Sequence, residues 1–94
     1  MLERKRAYIE HLKDSDSSTR LVSASDKLHN TRAILAELRR NGLEVFERFA
    51  GKKDGTLWYY RALVTAFRQH RDHTDLVDEL DRVVSDIEKF ARER

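Results

Sequence analysis

The chain has 94 residues and a mass of 11.1 kDa, which is enough for one small domain. Its 19 Lys and Arg residues against 17 Asp and Glu leave a net charge of +2, which gives no reason to expect nucleic acid as a partner. It has no cysteine, which excludes disulfides and thiolate chemistry, and we expect a cytoplasmic location. No apolar run approaches the roughly 20 residues of a membrane span, so no membrane partner is expected.

The distribution of helix-breaking residues predicts an all-α fold. Proline is absent, and glycine occurs only at positions 42, 51 and 55. No segment alternates apolar and polar residues as a half-buried strand does. We therefore predict a single helical domain over residues 1–94, a small bundle of about five helices.

The first two predicted helices are separated by a cluster of capping residues. The first helix spans Leu2–Lys13, and its apolar face carries Leu2, Ile9 and Leu12. Asp14–Ser18 contains residue types that favour the start of a helix. The second helix spans Ser18–Arg40 and ends at Asn41-Gly42, because glycine tolerates the left-handed backbone of a helix end. Its predicted core stripe is Leu21, Ala24, Leu28, Thr31, Leu35 and Leu38.

Three further helices are predicted in the second half of the chain. A short helix covers the apolar residues between Leu43 and Phe49, and Gly51–Gly55 is expected to be a loop. The fourth helix, Thr56–His70, is apolar on most sides and is therefore expected at the centre of the bundle. After a linker that ends at Thr74, the last helix, Asp75–Arg92, has one apolar face and is expected on the outside.

A second face of the Ser18–Arg40 helix carries the first candidate site. Val22, Asp26, Asn30 and Ala33 lie together there, away from the core stripe, and the apolar members indicate partial burial. Asp26 and Asn30 are one turn apart, and aspartate is a mediocre residue for a helix interior. Either Asp26 is a surface residue that pairs with Lys27 or Asn30, or it has a chemical role.

The segment Leu21-Val-Ser-Ala-Ser-Asp-Lys-Leu-His-Asn30, followed by Arg32, resembles the last motif of HD-domain phosphohydrolases. It is similar above all to the hydrolase domain of RelA/SpoT-type (p)ppGpp enzymes. The segment Gly55-Thr-Leu-Trp-Tyr-Tyr-Arg61 also resembles the later part of bacterial HD domains. The resemblance covers about residues 5–92 and implies that the chain corresponds to the C-terminal half of an HD-domain fold.

The resemblance implies roles for three residues of the second helix. Asp26 matches the aspartate that binds a divalent metal, Mn²⁺ or Mg²⁺, and is the expected metal ligand and catalytic residue. Asn30 matches a position near the substrate and is the second expected catalytic residue; the alternative is a hydrogen bond to Asp26. Lys27 also matches a substrate position, against the alternative of a solvated lysine. His29 is interpreted as a partly buried residue that bonds a backbone carbonyl, and Arg32 as the partner of a carboxylate.

The family's other metal ligands, a histidine and a consecutive His-Asp pair, precede this motif, and no His-Asp dipeptide occurs in the chain. We therefore expect part of an HD-type phosphohydrolase for nucleotides or phosphomonoesters that is inactive alone and binds no metal tightly. Its expected partners are a second copy of itself or a complementing N-terminal HD segment. The alternative is a non-catalytic helical module for dimerisation or partner binding.

Two other groups of side chains suggest ligand binding. Lys52, Lys53, Arg61 and Arg68 surround the predicted loop, and Lys52 and Arg61 are candidates for binding the phosphate of a nucleotide, the alternative being a solvated loop. His70 and His73 have a spacing that can bind a transition metal, but they straddle a predicted linker and we expect no specific site. Trp58, Tyr59 and Tyr60 are interpreted as core or interface aromatics.

Overall fold

Four α-helices and one 3₁₀ helix make up the structure, a computed structural model that describes residues 2–93 apart from the side chain of Leu2. They are α1 (Leu2–Lys13), α2 (Ser17–Asn41), the 3₁₀ helix (Gly42–Arg48), α3 (Lys52–Arg68) and α4 (Thr74–Glu93). No strand occurs in these residues, so the predicted all-α class is confirmed. The predicted place of Leu2 on the apolar face of α1 lies outside the described side chains.

The boundaries of α2 follow from a cap at each end. The Asp16 carboxylate accepts a hydrogen bond of 2.8 Å from the backbone N–H of Thr19, and this bonding lowers the pKa of Asp16. At the other end Gly42 has φ +76° and ψ −165°, a region that is essentially restricted to glycine. The Gly42 N–H donates to the carbonyl of Leu38. Both predicted signals, the capping cluster and the terminal glycine, are confirmed.

The core forms where the helices cover one another. α2 packs along α4, and α3 contacts α1, the 3₁₀ helix and α4, so the predicted central position of the fourth helix is confirmed. The apolar face of α4 is buried against both α2 and α3. The largest fully buried side chains are Leu12, Leu38, Phe46, Leu63, Phe67, Leu80, Val84 and Ile87. Each contributes roughly 1.5–3 kcal/mol by leaving water.

The predicted loop at Gly51–Gly55 is wrong, because these residues form the cap and first turn of α3. Gly55 N–H donates to the Gly51 carbonyl at 2.9 Å, as in a helical turn. A Cβ atom on Gly51 would lie 2.8 Å from the Cα of Gly55, so the first glycine permits a close approach. At Gly55 an added Cβ would meet nothing within 4 Å. The close approach therefore requires glycine at position 51 but not at position 55, and neither glycine breaks the helix.

The prediction for the two faces of α2 is partly wrong. Ala24, Leu28, Thr31, Leu35 and Leu38 are buried as expected. Leu21 is 44% exposed, because Arg20 occupies the buried position at that end of the helix. Val22 is 70% exposed and Ala33 is also exposed, so the face predicted to be partly buried is open. α4 and the 3₁₀ helix pack on the opposite side of α2.

Within residues 2–93, no helix combines the length and the apolar character that are needed to cross a membrane.

Candidate functional site

Asp26 lies on the exposed side of α2, and its carboxylate contributes little to the stability of the fold. Its side chain is 60% exposed, and Oδ2 accepts a hydrogen bond of 3.3 Å from Nζ of the neighbouring Lys27. A surface ion pair of this kind contributes about 0–1 kcal/mol to stability. The carboxylate is therefore both paired, as the surface interpretation predicted, and accessible to a ligand.

Lys27 is not the solvated lysine of the alternative interpretation. Only 16% of its side chain is exposed, and Nζ lies 5.1 Å from the centre of the Tyr8 ring. A cation over an aromatic face is stabilised by roughly 0.5–2 kcal/mol. The Tyr8 hydroxyl in turn forms a hydrogen bond with the hydroxyl of Ser23. Contacts from α1 therefore hold the ammonium group next to Asp26.

Two tyrosines of α3 complete the surroundings of Asp26. Burial raises the pKa of Tyr59 to about 12, and electrostatic interactions with Tyr8, Tyr60 and Asp26 act in the same direction. Burial, followed by the charge of Asp26, raises the pKa of Tyr60. Nζ of Lys5 lies 4.9 Å from the centre of the Tyr59 ring. Asp26 therefore pairs with Lys27 and lies near Tyr59 and Tyr60, with Tyr8 and Lys5 of α1 next to these residues. We call this group the Asp26 junction.

The alternative considered for Asn30, a hydrogen bond to Asp26, and the interpretation of His29 both differ from the structure. The Asn30 side chain is partly buried one turn after Asp26, and within residues 2–93 no hydrogen bond joins the two. His29 is exposed, whereas partial burial was expected, because it faces away from the helices that pack on α2. Arg32 forms the expected carboxylate pair, with Glu79 of α4 at 3.1 Å.

Arg61, a candidate for binding substrate phosphate, is held by α4. Its guanidinium donates two hydrogen bonds to Glu88, at 2.7 and 3.1 Å, and one of 2.7 Å to Asp81. The bonding to Glu88, opposed by partial burial and assisted by Asp81, raises the pKa of Arg61. Arg68 also binds Asp81, at 2.8 Å, and these two arginines lower the pKa of that carboxyl group. The guanidinium of Arg61 therefore joins α3 to α4, and its role toward a substrate stays a prediction.

Lys52, the other predicted phosphate ligand, lies at the start of α3. Nζ of Lys52 is 3.2 Å from Oε1 of Glu47 in the 3₁₀ helix, and both side chains are exposed. Lys53 is also exposed. The structure therefore divides the predicted cationic group, since Arg61 and Arg68 face α4 whereas the two lysines face solvent.

The two predicted histidines of the linker make structural contacts. Nε2 of His70 lies 2.9 Å from the carbonyl oxygen of Lys13, and Nε2 of His73 lies 2.9 Å from the carbonyl oxygen of Ser17. These bonds join the connection between α3 and α4 to the turn between α1 and α2. Within the described part of the chain, no three His, Asp or Glu side chains come together as metal ligands.

The residues of the Asp26 junction do not by themselves fit a site for Mn²⁺ or Mg²⁺. These cations bind near-octahedral sets of oxygen ligands, whereas in the part of the chain that the structure describes no three His, Asp or Glu side chains come together around Asp26. The neighbouring Lys27 ammonium group also competes for that carboxylate. What the chain contributes is one accessible carboxylate with an amide group one turn away.

No protein-family model, no curated protein and no solved structure matches this chain.

The tyrosines of the Asp26 junction were missed as site residues. Tyr59 and Tyr60 were interpreted as core or interface aromatics, and half-burial of both agrees with that. Their proximity to Asp26 depends on how α3 crosses α2, and periodicity within one helix carries no information about such a crossing. The one signal in the sequence was that a tyrosine on a largely apolar face carries a hydroxyl group, which needs a polar partner when it is buried.

Proposed function

We propose that this chain supplies the Asp26 and Asn30 part of an HD-type phosphohydrolase site, which a segment carrying the family's histidine and His-Asp motifs completes. The observation that carries the proposal is the accessibility of the Asp26 carboxylate, with 60% of its side chain exposed. An aspartate in the interior of a long helix that contributes little to packing or ion pairing is available for another role.

The surroundings of Asp26 support this proposal in two ways. The open face of α2 around Val22 and Ala33 leaves room for a complementing segment. The ammonium group of Lys27 is held by Tyr8 close to the carboxylate and is suited to pair with a phosphate oxygen. In this proposal Asp26 contributes a carboxylate ligand, Asn30 orients the substrate or a water molecule, and Lys27 contacts the phosphate. Arg61 and Lys52 are weaker candidates for contacting the phosphate. Arg61 is paired with Asp81 and Glu88, and Lys52 is paired with Glu47.

The test is a titration with Mn²⁺ of this chain mixed with the N-terminal half of a (p)ppGpp hydrolase domain that carries the missing motifs. We expect a stoichiometric site in the mixture that Asp26→Ala removes. The isolated chain is expected to bind Mn²⁺ no more tightly than about millimolar, roughly −4 kcal/mol. Asp86→Ala, at an exposed aspartate of α4, is the matched control. A site in the mixture that is unchanged in Asp26→Ala contradicts the proposal.

A second candidate function is supported by a different observation, the exposure of Leu21 and Val22 on neighbouring positions of α2. In this alternative the chain is a non-catalytic module that dimerises or binds a partner through α2. Sedimentation equilibrium at tens of micromolar tests it, because Val22→Asp is then expected to convert a dimer into an 11.1 kDa monomer. A wild-type monomer at that concentration contradicts self-association.

A further inference from the structure

A groove between α1 and α3 lies outside the Asp26 junction. It encloses about 360 Å³, which is at the lower end of the range for small-molecule sites. We call it the Trp58 groove. Its lining residues are Ile9, Lys13, Trp58, Arg61, Ala62, Thr65, Ala66 and Gln69.

The floor of the Trp58 groove is apolar because two small residues of α3 face α1. Ala62 and Ala66 are one turn apart, and the absence of larger side chains leaves the space between the helices open. Ile9 closes the floor from the side of α1. Trp58 forms a wall and is 39% exposed, one of the largest apolar surfaces that the described chain presents to solvent. A flat apolar ligand fits this shape.

Two cations of α1 lie by the groove: Lys13 lines it, and Arg6 lies against its Trp58 wall. Arg6 lies over the Trp58 ring with its guanidinium carbon 5.8 Å from the ring centre, and within residues 2–93 it forms no ion pair. Lys13 lies two turns further along α1 and pairs with Glu10, whose side chain is 71% exposed. Arg61 is occupied by Asp81 and Glu88. Arg6 is therefore the cation beside the groove that no carboxylate of residues 2–93 holds.

We propose that the Trp58 groove binds a planar aromatic monoanion, one or two fused rings that carry a carboxylate or sulfonate. The ring lies on Ile9, Ala62 and Ala66 beside the Trp58 indole, and the anionic group pairs with the guanidinium of Arg6. The volume of the groove suits one or two fused rings, and the cation next to an aromatic wall selects an anion over a neutral ring. The inference is independent of the proposed function, because it involves neither α2 nor Asp26.

The chain offers a direct reporter, since Trp58 is its single tryptophan. Its indole N–H gives one cross-peak in a ¹H–¹⁵N spectrum, and 2-naphthoate is the probe for titration. We expect a saturable shift of this cross-peak. Ala62→Leu fills the groove and is expected to weaken binding at least tenfold, whereas Ala33→Leu on the open face of α2 leaves it unchanged. Arg6→Gln, an exposed change that does not depend on core packing, is expected to weaken binding at least threefold.

The neutral analogue 2-naphthamide separates charge recognition from apolar adsorption, and we expect it to bind at least threefold more weakly. The proposal is overturned if the Trp58 cross-peak shows no saturation with 2-naphthoate, or if Arg6→Gln binds as tightly as the wild type. Equal affinity for the acid and the amide also overturns it, because the groove would then not select an anion.

Discussion

Arg20 of α2 binds Asp72 in the connection between α3 and α4 through two side-chain hydrogen bonds, of 2.6 and 3.3 Å, across 52 positions of the chain. Arg20 is only 8% exposed, and it also donates to the carbonyl oxygen of Ser15 in the turn before α2. One guanidinium thus joins the two connections at the same end of the bundle. Two histidine bonds, from His70 to Lys13 and from His73 to Ser17, reinforce this joint.

The Arg20–Asp72 pair predicts a loss of stability in acid. Hydrogen bonds from Arg20 and then Ser17 lower the pKa of Asp72 below its ordinary value of 3.8. A carboxyl group with a lowered folded pKa stabilises the protein above the unfolded pKa, and this contribution is lost as the pH falls toward the folded value. Urea unfolding is therefore expected to show that the free energy of unfolding decreases between pH 5 and pH 2. This decrease with pH is expected to be smaller in Asp72→Asn. Asp14→Asn, at an exposed aspartate of the neighbouring turn, is the control, and an equal effect of the two changes contradicts the prediction.

The two glycines of the α3 entry predict opposite effects of the same substitution. Gly55→Ala is expected to stabilise by about 0.5–1 kcal/mol, because Gly55 lies in the helix and its added methyl group meets nothing within 4 Å. Gly51→Ala is expected to destabilise by at least about 1 kcal/mol, since its methyl group would lie 2.8 Å from the Cα of Gly55. Thermal unfolding of the two variants measures the difference. Equal changes in Tm would show that the close approach is absent.

Two buried threonines provide a second matched pair. Within residues 2–93 the buried Thr56 hydroxyl has no hydrogen-bond partner, so Thr56→Val is expected to be neutral or to stabilise by up to about 1 kcal/mol. The Thr31 hydroxyl donates to the carbonyl oxygens of Lys27 and Leu28, at 2.8 and 3.1 Å, and Thr31→Val is expected to cost about 1 kcal/mol. Chemical denaturation of both variants is the measurement. A larger loss in Thr56→Val than in Thr31→Val would contradict this account.

The tyrosines of the Asp26 junction predict an alkaline limit to stability. The pKa of Tyr59 is raised to about 12 by burial, from its ordinary value of 10.0. The folded state therefore favours the neutral phenol, and the stabilisation is complete below pH 10 and lost as the pH rises toward 12. When the ultraviolet absorbance of tyrosinate is followed against pH, we expect one tyrosine to ionise well above pH 10. Asp26→Asn is expected to move the titration to lower pH, because it removes a negative charge near Tyr59 and Tyr60. No shift relative to Asp14→Asn would place Asp26 away from these rings.

The sequence predicted the helices well where the signal was local. The capping residue Asp16 lies in the predicted cluster, Gly42 ends α2 as expected, and α1 spans the predicted Leu2–Lys13. The errors arose where a tertiary contact decided the outcome. Gly51 and Gly55 are typical of a loop, and the sequence therefore predicted one. In the structure the backbones of these two residues approach closely and form a helical turn. Leu21 has the right spacing for the core, but a buried Arg20 that binds Asp72 takes its place.

The candidate site was predictable only in part. Asp26 and Asn30 could be placed on one face of α2 from their spacing, and the structure keeps them there. The contact of Lys27 with Tyr8 depends on the packing of α1 against the rest of the bundle, which no spacing within α2 reveals. The engagement of Arg61 by Asp81 and Glu88 likewise depends on how α3 meets α4.

The most direct test of the proposed function is Mn²⁺-dependent hydrolysis of (p)ppGpp by this chain in a 1:1 complex with the N-terminal half of a (p)ppGpp hydrolase domain. Sedimentation first establishes that the complex forms. The proposal predicts turnover by the complex, none by either part alone, and a loss of at least about 100-fold in Asp26→Ala but not in Asp86→Ala. Turnover that persists in Asp26→Ala, or a complex that forms without any turnover, would contradict it.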